Sequence, residues 1–85
     1  MFLRYKDRQG QERKINLTES EIAIGRSSSA DVTLSDTRVS RHHASIRYWG
    51  DDYVLKDLKS NNGTFLNGRR INVAALTPGD RIVVG

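Results

Sequence analysis

The sequence has no cysteine, a single proline and no long apolar run. Without cysteine the chain has no disulfide framework, no thiolate zinc site and no cysteine nucleophile. Its longest apolar run, Val73 to Leu76, has four residues, whereas a membrane-spanning helix needs about 20. The first residues also lack the apolar stretch of a signal peptide. We therefore expect a soluble, cytoplasmic domain with no membrane partner.

The length of 85 residues predicts one small domain covering residues 1–85. Fourteen Lys and Arg residues against ten Asp and Glu residues give a net charge of +4. A positive charge favours anionic partners such as nucleic acid, phosphate or acidic peptides. An ordinary, mildly basic soluble surface carries the same charge, and on charge alone this interpretation is favoured.

Strand signals dominate the chain, and no segment has helical periodicity. Turn residues recur at the intervals that are typical of an all-β sandwich or barrel. In one predicted strand Ala44, Ile46 and Tyr48 alternate with Ser45, Arg47 and Trp49, which predicts that the first three share a buried face. The predicted strands are Phe2–Tyr5, Arg13–Leu17, Glu21–Gly25, Val32–Leu34, His43–Trp49, Tyr53–Leu58, Thr64–Leu66, Arg69–Ile71 and Arg81–Val84.

Three tight turns are predicted between these strands. Gly50-Asp51-Asp52 and Asn67-Gly68 favour short hairpins because Gly, Asn and Asp accept a positive φ more easily than other residues. Pro78-Gly79-Asp80 is the third turn signal.

Polar residues cluster in three separate inter-strand segments, at positions 25–29, 38–43 and 60–64. Loops at one end of a sandwich can converge on a single surface. Together these segments supply guanidinium, hydroxyl, amide and backbone N–H donors but no carboxylate. Such a donor set suits a bound dianion such as phosphate.

The three clusters contain a Gly-Arg pair, then Ser-x-x-His, then Ser-x-Asn-Gly-Thr. Ser40 lies fifteen positions after Gly25, and Ser60 lies seventeen positions after His43. In this order and register they resemble the signature of the forkhead-associated (FHA) domain. Asp57-Leu58, Phe65 to Gly68 and Pro78 to Asp80 extend the similarity over nearly the whole chain. The resemblance implies an antiparallel β-sandwich of the FHA/SMAD-like class whose loops bind phosphothreonine peptides.

The resemblance also implies one more strand after Val84. Because the sequence stops at Gly85, we expect a fragment of a longer protein that lacks its last strand. Self-association or strand exchange between copies stays open as an alternative.

The resemblance assigns roles to individual residues. Arg26, Ser40 and Arg41 are the expected phosphate-binding residues, since guanidinium and hydroxyl donors suit phosphate oxygens. The residues expected to contact the peptide are Ser27, Arg38, Asn61 and Asn62. The residues expected to support the site are Gly25, His43, Ser60, Gly63 and Thr64.

Three of these expectations are more specific. The ring of His43 is expected to brace the loops of Arg26 and Ser40. The amide of Asn62 is expected to bond the main chain of the peptide beside the phosphothreonine. Arg38 is expected to favour an acidic side chain about three residues beyond the phosphothreonine.

Two other classes of function compete with phosphopeptide binding. A basic, barrel-like nucleic-acid-binding domain rests on the net charge and on four aromatic residues, Tyr48, Trp49, Tyr53 and Phe65; dispersed basic residues and interrupting Asp residues argue against it. An enzyme would need Ser40 and His43 as nucleophile and base, without a carboxylate to orient the His. His42 and His43 are adjacent in a strand and point to opposite faces, so they predict no metal site.

The sequence therefore predicts a phosphothreonine-dependent peptide-binding module for protein–protein interaction in signalling. We expect a threonine-phosphorylated protein or peptide as the partner, no nucleic acid, no cofactor, no metal and no catalysis.

Overall fold

The structure is a computed structural model that describes all 85 residues, and it contains ten β-strands and no helix. The strands are β1 (Phe2–Lys6), β2 (Glu12–Asn16), β3 (Ile22–Gly25), β4 (Val32–Thr33), β5 (Ala44–Trp49), β6 (Asp52–Asp57), β7 (Thr64–Leu66), β8 (Arg69–Ile71), β9 (Val73–Ala75) and β10 (Ile82–Val84). The chain has no helix of the length and apolarity that crossing a membrane requires.

Five strands form the larger sheet, in the order β4-β3-β5-β6-β9. The other face of the molecule consists of a three-stranded sheet, β10-β7-β8, and the β1-β2 hairpin. All pairs are antiparallel except β3 and β4, which form a short parallel pair through Ile24–Val32 and Gly25–Thr33. The predicted all-β fold with antiparallel sheets is confirmed.

The core lies between these two layers. Ile22, Ile24, Ala44, Ile46 and Leu55 are at most 6% exposed, and all five come from the larger sheet. Each buried Ile or Leu side chain among them contributes about 1.5–3 kcal/mol. The side chains that pack against this cluster from the smaller sheets are Leu3, Tyr5, Ile15, Leu66, Ile71, Ile82 and Val84. The fold is therefore a two-layer sandwich.

All nine predicted strands are present, and their ends differ from the prediction by no more than one residue. The tenth strand, Val73–Ala75, was not predicted as a strand. It pairs with β6 through Val54–Ala75 and Leu55–Ala74. Alanine is a weak strand former and a single residue, Asn72, separates β9 from β8, so no local signal marks this strand.

The predicted turns have the expected backbone. Gly50 and Asp51 have φ of 59° and 70°, and Asn67 and Gly68 have φ of 52° and 85°. The predicted buried face of β5 is correct for Ala44 and Ile46, at 0% and 1% exposure. It is wrong for Tyr48, which is 36% exposed because it lies at the end of the sheet beside the turn.

Strand direction determines where the three polar clusters emerge. The pairings Ile24–Ala44 and Ala44–Asp57 place the end of β3, the start of β5 and the end of β6 at one edge. The connections there are loop 1 (residues 26–31), loop 2 (residues 34–43) and loop 3 (residues 58–63). We call this the loop end. The β5–β6 turn lies at the opposite end, which we call the hairpin end.

Candidate functional site

Loop 1 is held to loop 2 by three hydrogen bonds. The backbone N–H of Arg26 donates to the carbonyl of Ser40 at 3.0 Å, and that of Ser27 donates to the carbonyl of Arg41 at 3.2 Å. The Arg26 side chain adds a third bond, from Nε to the carbonyl of Val39 at 3.0 Å. Because Nε is used in this way, the guanidinium is anchored while its two terminal amino groups remain available.

Gly25 allows this close approach. A β-carbon at position 25 would lie against the carbonyl oxygen of Arg41, 2.8 Å from its carbonyl carbon and 3.1 Å from the carbonyl oxygen of Ser40. Ordinary non-bonded contacts between heavy atoms are about 3.5–4.0 Å. Glycine is therefore required here for space, so that two backbones can touch.

Loop 2 is held to loop 3 by side chains from both loops. The Ser40 hydroxyl accepts a hydrogen bond from the backbone N–H of Asn61 at 3.1 Å. The side-chain amide of Asn62 donates from Nδ2 to the carbonyl of Arg38 at 2.8 Å. A hydroxyl has one donor and two acceptor positions, so the Ser40 O–H stays free to donate outward.

His43 completes the link between loops 2 and 3. The ring is fully buried. Its Nδ1 accepts from the backbone N–H of Ser40 at 3.0 Å, which leaves the proton on Nε2, and Nε2 donates to the carbonyl of Gly63 at 2.7 Å. The ring thus joins the Ser40 and Gly63 loops, whereas the sequence analysis placed it between the Arg26 and Ser40 loops, which backbone bonds and the Arg26 side chain connect instead.

Loop 3 is shaped by Asp57, a residue that the sequence analysis did not include in the site. Its carboxylate accepts bonds from the Ser60 hydroxyl at 2.6 Å, from the Ser60 N–H at 3.3 Å and from the Thr64 hydroxyl at 2.7 Å. The Ser60 hydroxyl in turn accepts from the N–H of Gly63 at 3.0 Å. Burial raises the pKa of Asp57, but the bonds from Ser60 and Thr64 outweigh it and hold the pKa below its usual value.

Asp57 could have been found from the sequence by one weak signal. Asp side chains commonly accept bonds from residues two or three positions further along a turn, and Ser60 lies three residues after Asp57.

A carboxylate does border the site, although the three polar clusters contain none. Asp36 in loop 2 accepts from Nη2 of Arg38 at 2.8 Å and from its Nε at 3.2 Å. The bonds from the Arg38 side chain and backbone lower the pKa of Asp36 to about 2. Arg38 therefore carries a charge that is already partly neutralised.

The remaining predicted residues fall around this framework. Arg41 is exposed, while its carbonyl faces Gly25 and Ser27. The Ser27 hydroxyl is paired with that of Ser29 at 2.9 Å. The structure brings together the backbone or side chains of all the predicted phosphate-binding and peptide-binding residues at the loop end, namely Arg26, Ser27, Arg38, Ser40, Arg41, Asn61 and Asn62.

The two main hollows of the surface lie elsewhere. One, of about 740 Å³, lies between β1 and the turn before β10, and the other, of about 510 Å³, lies beside the β1–β2 hairpin and β4. The site is instead an open surface formed by loop tips. No group of three or more His, Asp or Glu side chains is arranged to hold a metal ion.

Fold and site together define a class of protein: a small β-sandwich whose distinctive chemistry lies in three cross-bonded loops at one end. Comparison with known proteins identifies the family. Residues 22–85 match the model of the FHA domain, and the chain belongs to the FHA family. FHA domains are binding modules.

Two curated relatives illustrate the similarity. The chain is 41% identical over 69 residues to an oxoglutarate dehydrogenase inhibitor of Corynebacterium jeikeium, covering 81% of this chain and 48% of the relative. It is 41% identical over 76 residues to the FHA domain-containing protein FhaA of Mycobacterium tuberculosis, covering 89% of this chain and 14% of that protein. The chain thus spans less than half the length of these relatives.

Solved structures support the same assignment. The FhaA FHA domain, in a crystal structure with the intracellular domain of Rv3910, superposes with a TM-score of 0.82 at 40% identity, covering 92% of this chain and 86% of that one. EmbR of Mycobacterium tuberculosis, solved with a low-affinity phosphopeptide, gives a TM-score of 0.80 at 32% identity, covering 98% of this chain and 21% of that one.

Proposed function

We propose that the loop end binds a phosphothreonine side chain, with Arg26, Ser40 and Arg41 donating to the phosphate. As an FHA domain the chain is a phosphothreonine-dependent module for protein–protein interaction. One observation carries the assignment of residues. Arg26 is anchored through Nε on loop 2, and Ser40 is anchored as an acceptor by loop 3, so both keep donors that nothing in the protein uses. Arg41 adds an exposed guanidinium beside them.

The neighbouring residues are proposed to hold the peptide on either side of the phosphate. Asn62 has one N–H of its amide committed to Arg38, which leaves its oxygen and a second N–H for the main chain of the partner. Asn61 and Ser27 lie at the rim of loops 3 and 1. Arg38 is proposed to attract an acidic side chain beyond the phosphothreonine, in competition with Asp36.

Catalysis has no support in the arrangement of Ser40 and His43. A nucleophile and its base need a hydrogen bond between their side chains. Here the ring of His43 accepts from the backbone of Ser40 and donates to Gly63, so both ring nitrogens are occupied by main-chain groups. We propose a binding role without a chemical step.

The nucleic-acid alternative is not favoured. Three of the four aromatic residues that would stack on bases, Tyr48, Trp49 and Tyr53, lie at the hairpin end. Trp49 there is 77% exposed and is paired with Asp52 across the turn. Carboxylates at Asp51 and Asp52 repel a phosphate backbone. The basic donors of the loop end and these three aromatic residues are thus at opposite ends of the domain, and the fourth, Phe65, is half-buried in β7.

In this proposal residues 1–85 form an interaction domain of a cytoplasmic protein, and its partners are threonine-phosphorylated proteins or peptides. Phosphothreonine carries about −1.5 to −2 charges at pH 7 and three strong acceptor oxygens, which fits a site made of unpaired donors.

The test is calorimetry with a phosphothreonine peptide and its unphosphorylated twin. A charge-assisted hydrogen bond contributes about 1.5–3 kcal/mol, so Arg26→Ala should lower affinity for the phosphopeptide about 10- to 150-fold. Arg47→Ala, which removes one arginine from the far half of β5, is the matched control and should bind like the wild type. Equal binding of the two peptides, or undiminished affinity in Arg26→Ala, would contradict the assignment.

A further inference from the structure

Arg70 lies beside the site, although no motif in the sequence marks it. It is the middle residue of β8 and pairs with Phe65 of β7 on the outer face of the smaller sheet. Its guanidinium group packs over Gly63 of loop 3. A β-carbon at position 63 would lie 2.8 Å from Nε of Arg70 and 3.0 Å from its Cζ. Gly63 itself has φ of 94°. Glycine therefore suits this position both for the space beside Arg70 and for the backbone conformation.

The position of Gly63 connects Arg70 to the phosphate site. The carbonyl of Gly63 accepts from His43, whose ring also holds the backbone of Ser40. The residue before Gly63 is Asn62, which binds the backbone of Arg38. A partner segment that leaves the phosphate site across loop 3 therefore passes Arg70 next.

Arg70 differs from Arg38 in having no acidic partner. Three arginines of the domain form ion pairs, Arg13, Arg38 and Arg47, and Arg70 is not among them. The Arg38 guanidinium contacts Asp36 at 2.8 Å, so a carboxylate from a partner has to share it. The exposed guanidinium of Arg70 can instead give two parallel N–H bonds to one incoming carboxylate.

We propose that Arg70 forms a second cationic subsite, which binds a carboxylate side chain of the phosphorylated partner on the loop 3 side of the phosphothreonine. The outer face of the smaller sheet continues this subsite with Phe65, which is half-buried, and Val83, which is 48% exposed. The subsite rests on the proposed function of the loop end, because the phosphate brings the partner segment within reach.

A set of phosphothreonine peptides tests this subsite, with Asp and Asn exchanged at one flanking position at a time. Calorimetry is run with the wild type, Arg70→Gln, Arg70→Lys and Arg69→Gln. Arg69 precedes Arg70 in β8, is also exposed and points to the opposite face of the sheet. Arg69→Gln is therefore the control, because it removes one positive charge and leaves the proposed subsite intact. Thermal unfolding of each variant confirms that it is folded.

At one flanking position, Arg70→Gln should lower affinity for the Asp peptide about two- to fivefold, in line with a solvent-exposed ion pair, and leave the Asn peptide unchanged. Arg70→Lys should keep part of the preference for the Asp peptide over the Asn peptide, and Arg69→Gln should keep all of it. Higher salt should reduce this preference in the wild type. The proposed subsite is wrong if Arg70→Gln lowers affinity equally for every peptide, or if it lowers affinity for none of them. If the wild type binds phosphorylated and unphosphorylated peptides alike, the proposed function itself fails.

Discussion

The two ends of this sandwich are built in different ways. At the hairpin end the β5–β6 turn is made by its own residues, with Gly50 and Asp51 both at positive φ. At the loop end each loop depends on another for its hydrogen bonds. The carbonyl of Ser40, for example, accepts a hydrogen bond from the N–H of Arg26 in loop 1. Its hydroxyl accepts one from the N–H of Asn61 in loop 3.

This difference shows what a small domain needs in order to present a binding site. A tight turn forms from local backbone preferences and exposes whatever side chain lies beside it, here Trp49. A site with several donors at fixed positions requires contacts between residues far apart in sequence. The bonds between Ser40 and Asn61 and between His43 and Gly63 span 21 and 20 residues.

The largest difference between the two ends should appear when one methyl group is added to a glycine of each, by Gly25→Ala at the loop end and Gly50→Ala at the hairpin end. Gly25→Ala places a β-carbon against the backbone of Arg41, so it should destabilise the fold by about 1–3 kcal/mol and abolish phosphopeptide binding. Gly50→Ala meets no atom within 4 Å and has only the cost of its positive φ, about 1 kcal/mol. Chemical denaturation and calorimetry measure both.

Gly50→Ala should also bind the phosphopeptide like the wild type. If Gly25→Ala binds normally, or if both variants lose affinity together, the two ends are not independent and the comparison is wrong.

The next effect concerns pH. The pKa of Asp57 is lowered in the folded state from its ordinary value of 3.8, so its bonds to Ser60 and Thr64 stabilise the fold fully above that value. The contribution is lost as pH falls through the lower, folded-state pKa. At pH 7, Asp57→Asn should cost about 1–2 kcal/mol of unfolding free energy, and this difference from the wild type should shrink below about pH 4.

Urea denaturation of both proteins between pH 7 and pH 3 measures that difference. Asp7, Asp36 and Asp80 also have lowered pKa values, but they are present in both proteins, so their effect on the difference cancels. A gap that is constant with pH would show that the charge of Asp57 does not hold loop 3.

The smallest effect is expected at Trp49. Its side chain is 77% exposed at the hairpin end, so Trp49→Ser should change the unfolding free energy by no more than about 0.5 kcal/mol and leave phosphopeptide affinity unchanged. Circular dichroism and calorimetry provide the two readouts. A loss of affinity would place the hairpin end in the binding surface.

Much of the fold could be predicted from local signals in the sequence. Hydrophobic alternation identified β5, and Gly, Asn and Asp marked the turns at Gly50 and Asn67. The strand β9 was missed because Val73, Ala74 and Ala75 are held by pairing with β6 and not by their own preferences. The exposure of Tyr48 depends on where the sheet ends, which the alternation does not show.

The site could be predicted only in part. The spacing of Arg26, Ser40 and Asn62 pointed to one surface through resemblance to a family, since no local rule brings three separate loops together. The role of Asp57 and the partners of the His43 ring depend on contacts between loops. The position of Arg70 beside loop 3 depends on the pairing register of β7 and β8, which cannot be predicted from the sequence pattern.

The cross-bonding of the loops has a consequence for engineering. Replacing a single loop with its counterpart from another FHA domain shifts backbone acceptors that the other two loops need, such as the carbonyls of Ser40 and Arg38. A graft that alters recognition has to transfer the three loops as a set, His43 of loop 2 included, together with Gly25 before loop 1.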